Sequence, residues 1–462
     1  MGRVVLEGCA VVTMDAEHRE YATGHVVVDG HRIVAVGSGP APLAERDDTA
    51  DAADVRRVDA RGCLATPGLV NTHHHLYQWL TRGLAVDDTL FDWLTALYPL
   101  WAGIDAESVH VATQAALARL ARTGCTMSTD HHYVFPHDAG DVFAAEIEAA
   151  ATIGLRFHPC RGSMDLGRSS GGLPPDSIVE DIDAALTATA TAIEKFHDPA
   201  PEAMVRIAVA PCSPFSVTGE LLTRSAEQAR THGVRLHTHL AETADELDFC
   251  RERFGCTPTE YAESTGWLGN DVWLAHAVHL DDAAIRALAD TGTGVAHCPS
   301  SNARLGAGTC RSRDLRDAGV PVGLGVDGAA SNEATSLLEE VRHALLFARA
   351  VGGPHALAVR EVLEMATVGG ARLLGRQDDL GSLEPGKLAD IALWRLDTLD
   401  HADIADPVVA LVLGPPPPLE LLLVHGRPVV ERDAVVTVDE RQLVPKVIAA
   451  RDALLARAGA VT

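Results

Sequence analysis

The chain has 462 residues, 47% of them hydrophobic and 22% charged, with a formal net charge of −26. A chain of that size buries a large core and its composition is that of a globular protein, which excludes disorder as the main state. Strong acidity with thinly spread basic residues argues against nucleic acid or an anionic membrane surface as the principal partner.

Nine scattered cysteines, none in a CxxC pair, argue against a disulfide framework and for a reducing cytoplasm. The first twenty residues are punctuated by Arg3, Glu7 and Asp15, so they form no apolar signal core, and Leu6 is a poor match to a myristoylation signal. The apolar run near the C-terminus is broken by four prolines at 415–418 and cannot span a bilayer.

In chain order, residues 1–62 read as short strands and turns (VVLEGCAVVTM, GHVVVDGHRIVAVG). From 63 to 375 one grammar repeats: a short apolar, β-branched run, a polar loop, then a helical pattern. The strand candidates are LATPGLVNTHHH, GCTMSTDHH, LRFHPCRGS, VRIAVAPCS, VRLHTHLAE, VWLAHAVHL, TGVAHCPSS and VPVGLGVDG, separated by segments such as AESVHVATQAALARLART. Eight alternations predict a (β/α)8 barrel. An open doubly wound sheet would more often carry a glycine-rich phosphate turn after its first strand, and none is present. Residues 376–462 return to strands (DIALWRL, LELLLVHGRPVVERDAVVT) and end in a helix over 441–460. Neither end is long enough for a comfortable core alone, so the two are expected to fold together as a small β-sandwich against the barrel.

Polar residues collect at the carboxyl ends of the predicted strands, where barrel active sites are built. The first ends in His73, His74 and His75; alternation along a strand puts His73 and His75 on one face and His74 on the other. Alone, H-x-H is as readily a polar strand end. The fifth strand adds His237, His239 and Glu242, the sixth His276 and His279, and the eighth Asp327. Ligand-type residues at the same end of four strands point to a metal site.

This set resembles the amidohydrolase superfamily, in its deaminase branch: H-x-H on strand one, H-x-x-E on strand five, His on strand six and Asp on strand eight, with PGLVNTHHH, HCPSSNARLG, GVDGAASNE and EPGKLADIALW as further similar segments. Binuclear members of that superfamily usually carry a carboxylated lysine on strand four. Here that strand has none; the three lysines are Lys195, Lys387 and Lys446. The resemblance therefore implies one divalent metal per chain, held by His73, His75, His239 and Asp327. Zinc suits the mixed N/O set, and iron(II) is compatible by ligand type. It further implies Asp327 as proton acceptor and donor, Glu242 as the acid that protonates a ring nitrogen, and His276 as the group orienting the attacking oxygen. His237 and His279 are then structural or supporting. The other zinc deaminase signature, H-x-E with P-C-x-x-C, is absent.

For substrate contacts, Gln78 matches a position where related deaminases set an amide against a –NH–C(=O)– ring edge; the alternative is an ordinary helix residue. Cys212 and Arg161 are further candidates, Arg161 with a loop-holding role as its alternative, and the loop 130–136 is another. Tyr77, Trp79, Trp93, Tyr98 and Trp101 form an aromatic stretch, mostly core, from which one or two could line a planar substrate. The stretches NTHHHLYQWLTRGL, LFDWLTALYPLW, GCTMSTDHHYVFP and RFHPCRGSMDLGRSSGG are similar to 8-oxoguanine deaminases, while s-triazine hydrolases and isoxanthopterin or guanine deaminases are alternatives. The implied partner is a small purine-like molecule, with no nucleic acid and no membrane, and a homo-oligomer is expected. A metal-free scaffold relative is the reading from a different class, and it would lose ligands first.

Overall fold

The computed structural model describes residues 2–42 and 55–459. The N-terminal strands are β1 (Arg3–Val12), β2 (Glu20–Asp29), β3 (Arg32–Ser38), β4 (Val55–Asp59) and β5 (Cys63–Pro67). The chain then enters the barrel with β6 (Leu69–Asn71), followed by the short β7 (His74–His75). Six more barrel strands follow at intervals: β8 (Cys125–His132), β9 (Arg156–Ser163), β10 (Ala208–Pro211), β11 (Arg235–Leu240), β12 (Val272–His276) and β13 (Gly294–His297). The eighth, β14 (Val322–Leu324), closes on β6, and its extension β15 (Asp327–Gly328) pairs in parallel with β7. All barrel pairings are parallel, with helices between consecutive strands. The (β/α)8 barrel is therefore the architecture of the chain.

The C-terminal strands β16 (Ile391–Arg395), β17 (Leu419–Val424), β18 (Arg427–Glu431) and β19 (Ala434–Val435) join β1 to β5 in one nine-stranded sheet. Its core draws on both chain ends, with Leu6, Val26 and Ile33 packed among Ile391, Leu421 and Leu423. This is the small β-sandwich expected from the flanks. The last helix runs Glu440–Arg457, and none of the described helices is long and apolar enough to cross a membrane.

One strand reads differently from its sequence. The run LATPGLVNTHHH divides at Gly68: Cys63–Pro67 lies in the flanking sheet, parallel to β1 and antiparallel to β16, and only Leu69–Asn71 belongs to the barrel. A sheet boundary drawn at 62/63 thus falls one strand too early. The division has a steric cause. A Cβ at position 68 would stand 2.2 Å from the Thr126 side chain, so only glycine lets the chain cross from one sheet to the other here. The two units are also joined by a buried ion pair. Arg156 at the start of β9 reaches Asp390 through Nε at 2.8 Å and Nη2 at 3.1 Å, and its remaining donors are met by the Glu202 and Ala203 carbonyls and by His425 Nδ1.

Candidate active site

The closed barrel brings the ends of β7, β11, β12 and β15 to one point. His75 Nε2 stands 3.1 Å from His239 Nε2, and the Nε2 atoms of His73 and His75 are each 3.3 Å from Asp327 Oδ1. All four side chains are buried. The parallel pairing of Asp327 with His74 and of Gly328 with His75 fixes this register, and the Asp327 N–H donates to the His73 carbonyl.

The outer hydrogen bonds dictate which ring nitrogens carry protons. His75 Nδ1 donates to the His131 carbonyl (2.8 Å) and His239 Nδ1 to the Cys212 carbonyl (2.7 Å). His237 Nδ1 donates to the Trp273 carbonyl, so its Nε2 accepts from His73 Nδ1 at 2.8 Å. In the neutral form each ring carries one proton, so all three ligand-type Nε2 atoms present lone pairs. Burial pushes the His75 imidazole down to about 4 and those of His73 and His239 well below the ordinary histidine value, which keeps them neutral. Three nitrogen lone pairs and a carboxylate oxygen thus face one another with no proton between them. That arrangement fits a divalent cation, and the bonds from Nδ1 to carbonyls and to His237 are the outer contacts that orient metal-binding imidazoles. His73, His75 and Asp327 bring ligand atoms within 4.8 Å of one another, as do His73, His131 and His239. Asp327 itself is held by Ser301 Oγ (2.5 Å) and Ser331 Oγ (3.1 Å) on Oδ2 and by the Gly328 N–H (2.7 Å) on Oδ1.

Beside this group, Glu242 Oε2 lies 3.7 Å from His276 Nε2, whose own Nδ1 donates to Asn302 Oδ1 at 2.9 Å. Burial raises the Glu242 carboxyl to about 7. For His276, burial opposes the charge, but the Glu242 and Asp327 carboxylates outweigh it and lift its pKa above the ordinary value. The loop carrying Glu242 is pinned from below: Glu246 accepts the N–H groups of Ala241 and Glu242 at 2.8 and 2.9 Å. Ala241, His276, Ala277 and Asp327 all have positive φ, between 47° and 71°. Left-handed non-glycine residues each cost on the order of 1–3 kcal/mol, and here they gather at the ends of three strands, aiming the polar groups inward.

A small pocket opens next to these residues, walled by Gln78, Trp93, Tyr98, Cys212, Phe215 and Leu305. Gln78 is fully buried and neither atom of its amide has a hydrogen-bond partner among the described residues. Cys212 lines the pocket and also positions His239 through its carbonyl. Arg161 requires correction. Its guanidinium grips Glu180 at 2.8 and 2.6 Å and lies over the Phe135 ring at 3.6 Å, away from the pocket wall, so it holds the loop rather than a substrate. His237 stacks on Trp273 and supports His73, and His279 donates to the Ala307 carbonyl. His74 accepts the His75 N–H and is not among the pocket-lining residues. Of the aromatic stretch, Trp93 and Tyr98 reach the pocket, whereas Tyr77 and Trp101 pack against each other behind it.

Sequence reasoning gave no individual role to five side chains. His131 stacks on His239 at 4.7 Å, and Glu246, Asn302 and the Ser301/Ser331 pair position the residues already named. Asn302 and Ser301 sit in HCPSSNARLG and Ser331 in GVDGAASNE, so the segments were legible although the roles of those side chains were not.

The chain belongs to the amidohydrolase family, whose profile matches residues 64–427. It is 45% identical over 437 residues to the 8-oxoguanine deaminase of Pseudomonas aeruginosa, covering 94% of this chain and 95% of that one. It is 39% identical to an isoxanthopterin deaminase from an unknown prokaryotic organism, with 84% of each chain covered. Among solved structures it is similar to the atrazine chlorohydrolase of Arthrobacter aurescens complexed with zinc, with a TM-score of 0.91, 36% identity, and coverage of 97% of this chain and 100% of that one.

Proposed function

We propose that this enzyme hydrolyses 8-oxoguanine to uric acid and ammonia, using a single divalent metal at the barrel mouth, zinc by preference over iron(II), held by His73, His75, His239 and Asp327. The observation that carries the reading is the facing set of unprotonated donors beside Glu242 and the partnerless amide of Gln78. Such a cation supplies Lewis acidity that makes water acidic enough to furnish hydroxide near pH 7.

The side chains do the rest. Asp327, anchored by two serine hydroxyls, takes a proton from the attacking water. Glu242, kept partly protonated by burial, gives its proton to the ring nitrogen adjoining the amine-bearing carbon. As water oxygen bonds to that carbon, electron density moves onto the protonated nitrogen. His276, oriented by Asn302, hydrogen-bonds the new oxygen. Asp327 then passes its proton to the amine, the C–N bond breaks and ammonia leaves, while the hydroxyl proton moves to the Glu242 carboxylate as the ring carbonyl forms, which restores the acid. Positioned acid–base groups of this kind contribute about 10²–10⁴-fold each. Gln78 offers a donor and an acceptor to a –NH–C(=O)– edge.

Similarity to the 8-oxoguanine deaminase over nearly the whole chain supports that substrate over guanine. A site built for the extra N–H and C=O of the oxidised ring leaves polar groups unmet with guanine, a mismatch that can reach 10⁴-fold. Likeness to the atrazine chlorohydrolase favours a second reading, an s-triazine substrate on the same machinery. Comparing kcat/KM for 8-oxoguanine, guanine, isoxanthopterin and amino-s-triazines tests the proposal; any of the others outperforming 8-oxoguanine overturns the substrate and leaves the chemistry standing. Purified protein that binds no metal would instead favour a non-catalytic scaffold.

A further inference from the structure

We propose that Asp130, His132 and Glu146 form a second, wholly buried divalent-cation site of the zinc class, behind the barrel wall and apart from the catalytic pocket. Alternation along β8 sends His131 inward to stack on His239, while Asp130 and His132 face the helix Val142–Ile153, which carries Glu146. All three side chains have zero exposure.

The hydrogen-bond pattern repeats the logic of the barrel mouth. His132 Nε2 donates to the Val134 carbonyl at 3.0 Å, so its Nδ1 presents a lone pair. That lone pair stands 3.2 Å from Glu146 Oε2 and 3.8 Å from Asp130 Oδ2. Among the described residues, no N–H or hydroxyl donates to His132 Nδ1, Asp130 Oδ2 or either oxygen of Glu146, although the Asp130 and Glu146 carboxyls are close enough to share a proton. Only Asp130 Oδ1 is satisfied, by the Leu76 N–H at 2.6 Å. The three residues bring ligand atoms within 4.8 Å of one another. Tetrahedral ligands about 2.1 Å from zinc lie about 3.4 Å apart, close to the two spacings observed.

Charge points the same way. Among the described residues, the basic side chain that acts on His132, Arg161, is already committed to Glu180. Burial, with a smaller push from the Asp141 charge and against a hydrogen bond with Asp130, lifts the Glu146 carboxyl to about 8, so a proton shared between the carboxyls is the competing solution. One proton serves one donor and one acceptor, which leaves the His132 lone pair unmet. A single cation meets the imidazole and both carboxylates together. Its reach extends to the catalytic side, because Asp130 holds the Leu76 N–H, between His75 and Gln78, and the His132 ring packs against Tyr77 at 5.1 Å.

Anomalous diffraction at the zinc edge, on crystals of the zinc-loaded wild-type enzyme, reads the site directly and independently of turnover. The expected result is two peaks per chain, one of them within bonding distance of His132 Nδ1. In solution, Glu146→Gln should lose one zinc equivalent and keep the other, whereas Asp327→Asn should weaken retention of the complementary one. A single peak at the barrel mouth, or unchanged zinc content in Glu146→Gln, overturns the proposal and assigns the cluster to a shared proton. Because the wild-type peak decides the matter alone, a variant that fails to fold does not rescue it. Loss of 8-oxoguanine turnover with both peaks present would instead count against the proposed activity.

Discussion

Gly328→Ala is the sharpest probe of the pocket. A Cβ at 328 would stand 1.8 Å from Gln78 Oε1, 2.4 Å from Cδ and 3.0 Å from Nε2, and these are its three nearest neighbours. Backbone φ is not positive at this glycine, so alanine meets no intrinsic strain and the clash falls on a side-chain tip. The Gln78 amide must therefore swing away from the position in which it would pair the substrate edge. Two hydrogen bonds of about 1 kcal/mol each amount to about 2 kcal/mol, or roughly a 30-fold loss of kcat/KM. Gln78→Ala should give a similar loss by deletion. In the Gln78→Ala background the amide is gone, and Gly328→Ala should then be nearly silent. Steady-state kinetics on the four proteins of this cycle, with metal content and thermal stability measured alongside, supply the test. Equal losses for Gly328→Ala in both backgrounds, or depleted metal in that variant, would refute the reasoning and place the damage in Asp327 rather than in the amide.

Glu242→Gln should retain metal while kcat falls by about 10²–10⁴-fold; near-wild-type kcat would remove ring protonation from Glu242. Asp327→Asn should lower both turnover and metal retention, read by elemental analysis after dialysis against a chelator, since a charge leaves the ligand set. Burial raises the Glu242 carboxyl to about 7, and the acid form is the donor, so kcat/KM should fall as pH rises through that value. A bound cation moves the limb lower and never higher, and a rate that stays flat to alkaline pH would contradict the assignment. Asp390→Ala strands the buried Arg156 guanidinium and should destabilise the fold by about 3–5 kcal/mol in denaturant titrations, while Asp390→Glu should recover part of the loss.

The barrel and the residues around the donor cluster were legible because each sits where a strand ends, and strand ends carry a period and a composition that one sequence displays. His73, His75, His239, Glu242, His276 and Asp327 converge for that reason alone. Contacts set by three-dimensional packing were not legible. Arg161 reads as readily as a contact to a substrate carbonyl as a holder of its loop until Glu180, on another segment, is seen to occupy it. Glu246 looks like an ordinary helix residue until its two oxygens are found under the Ala241 and Glu242 amides. The division of the first strand at Gly68 leaves no mark in hydropathy, because both halves are apolar; its cause is the Thr126 side chain, more than fifty positions away.

That division bears on the order in which the molecule can be completed during synthesis. The segment leading into His73 emerges early, yet Cys63–Pro67 is clamped by Ile391–Arg395, made only near the end of translation. A nascent chain halted before Arg395 can hold every side chain of the candidate site and still lack the outer strand that anchors the first histidines. The earliest-made donors of the cluster are thus among the last to be fixed in place, and C-terminal truncation should loosen the barrel mouth without touching a residue inside it.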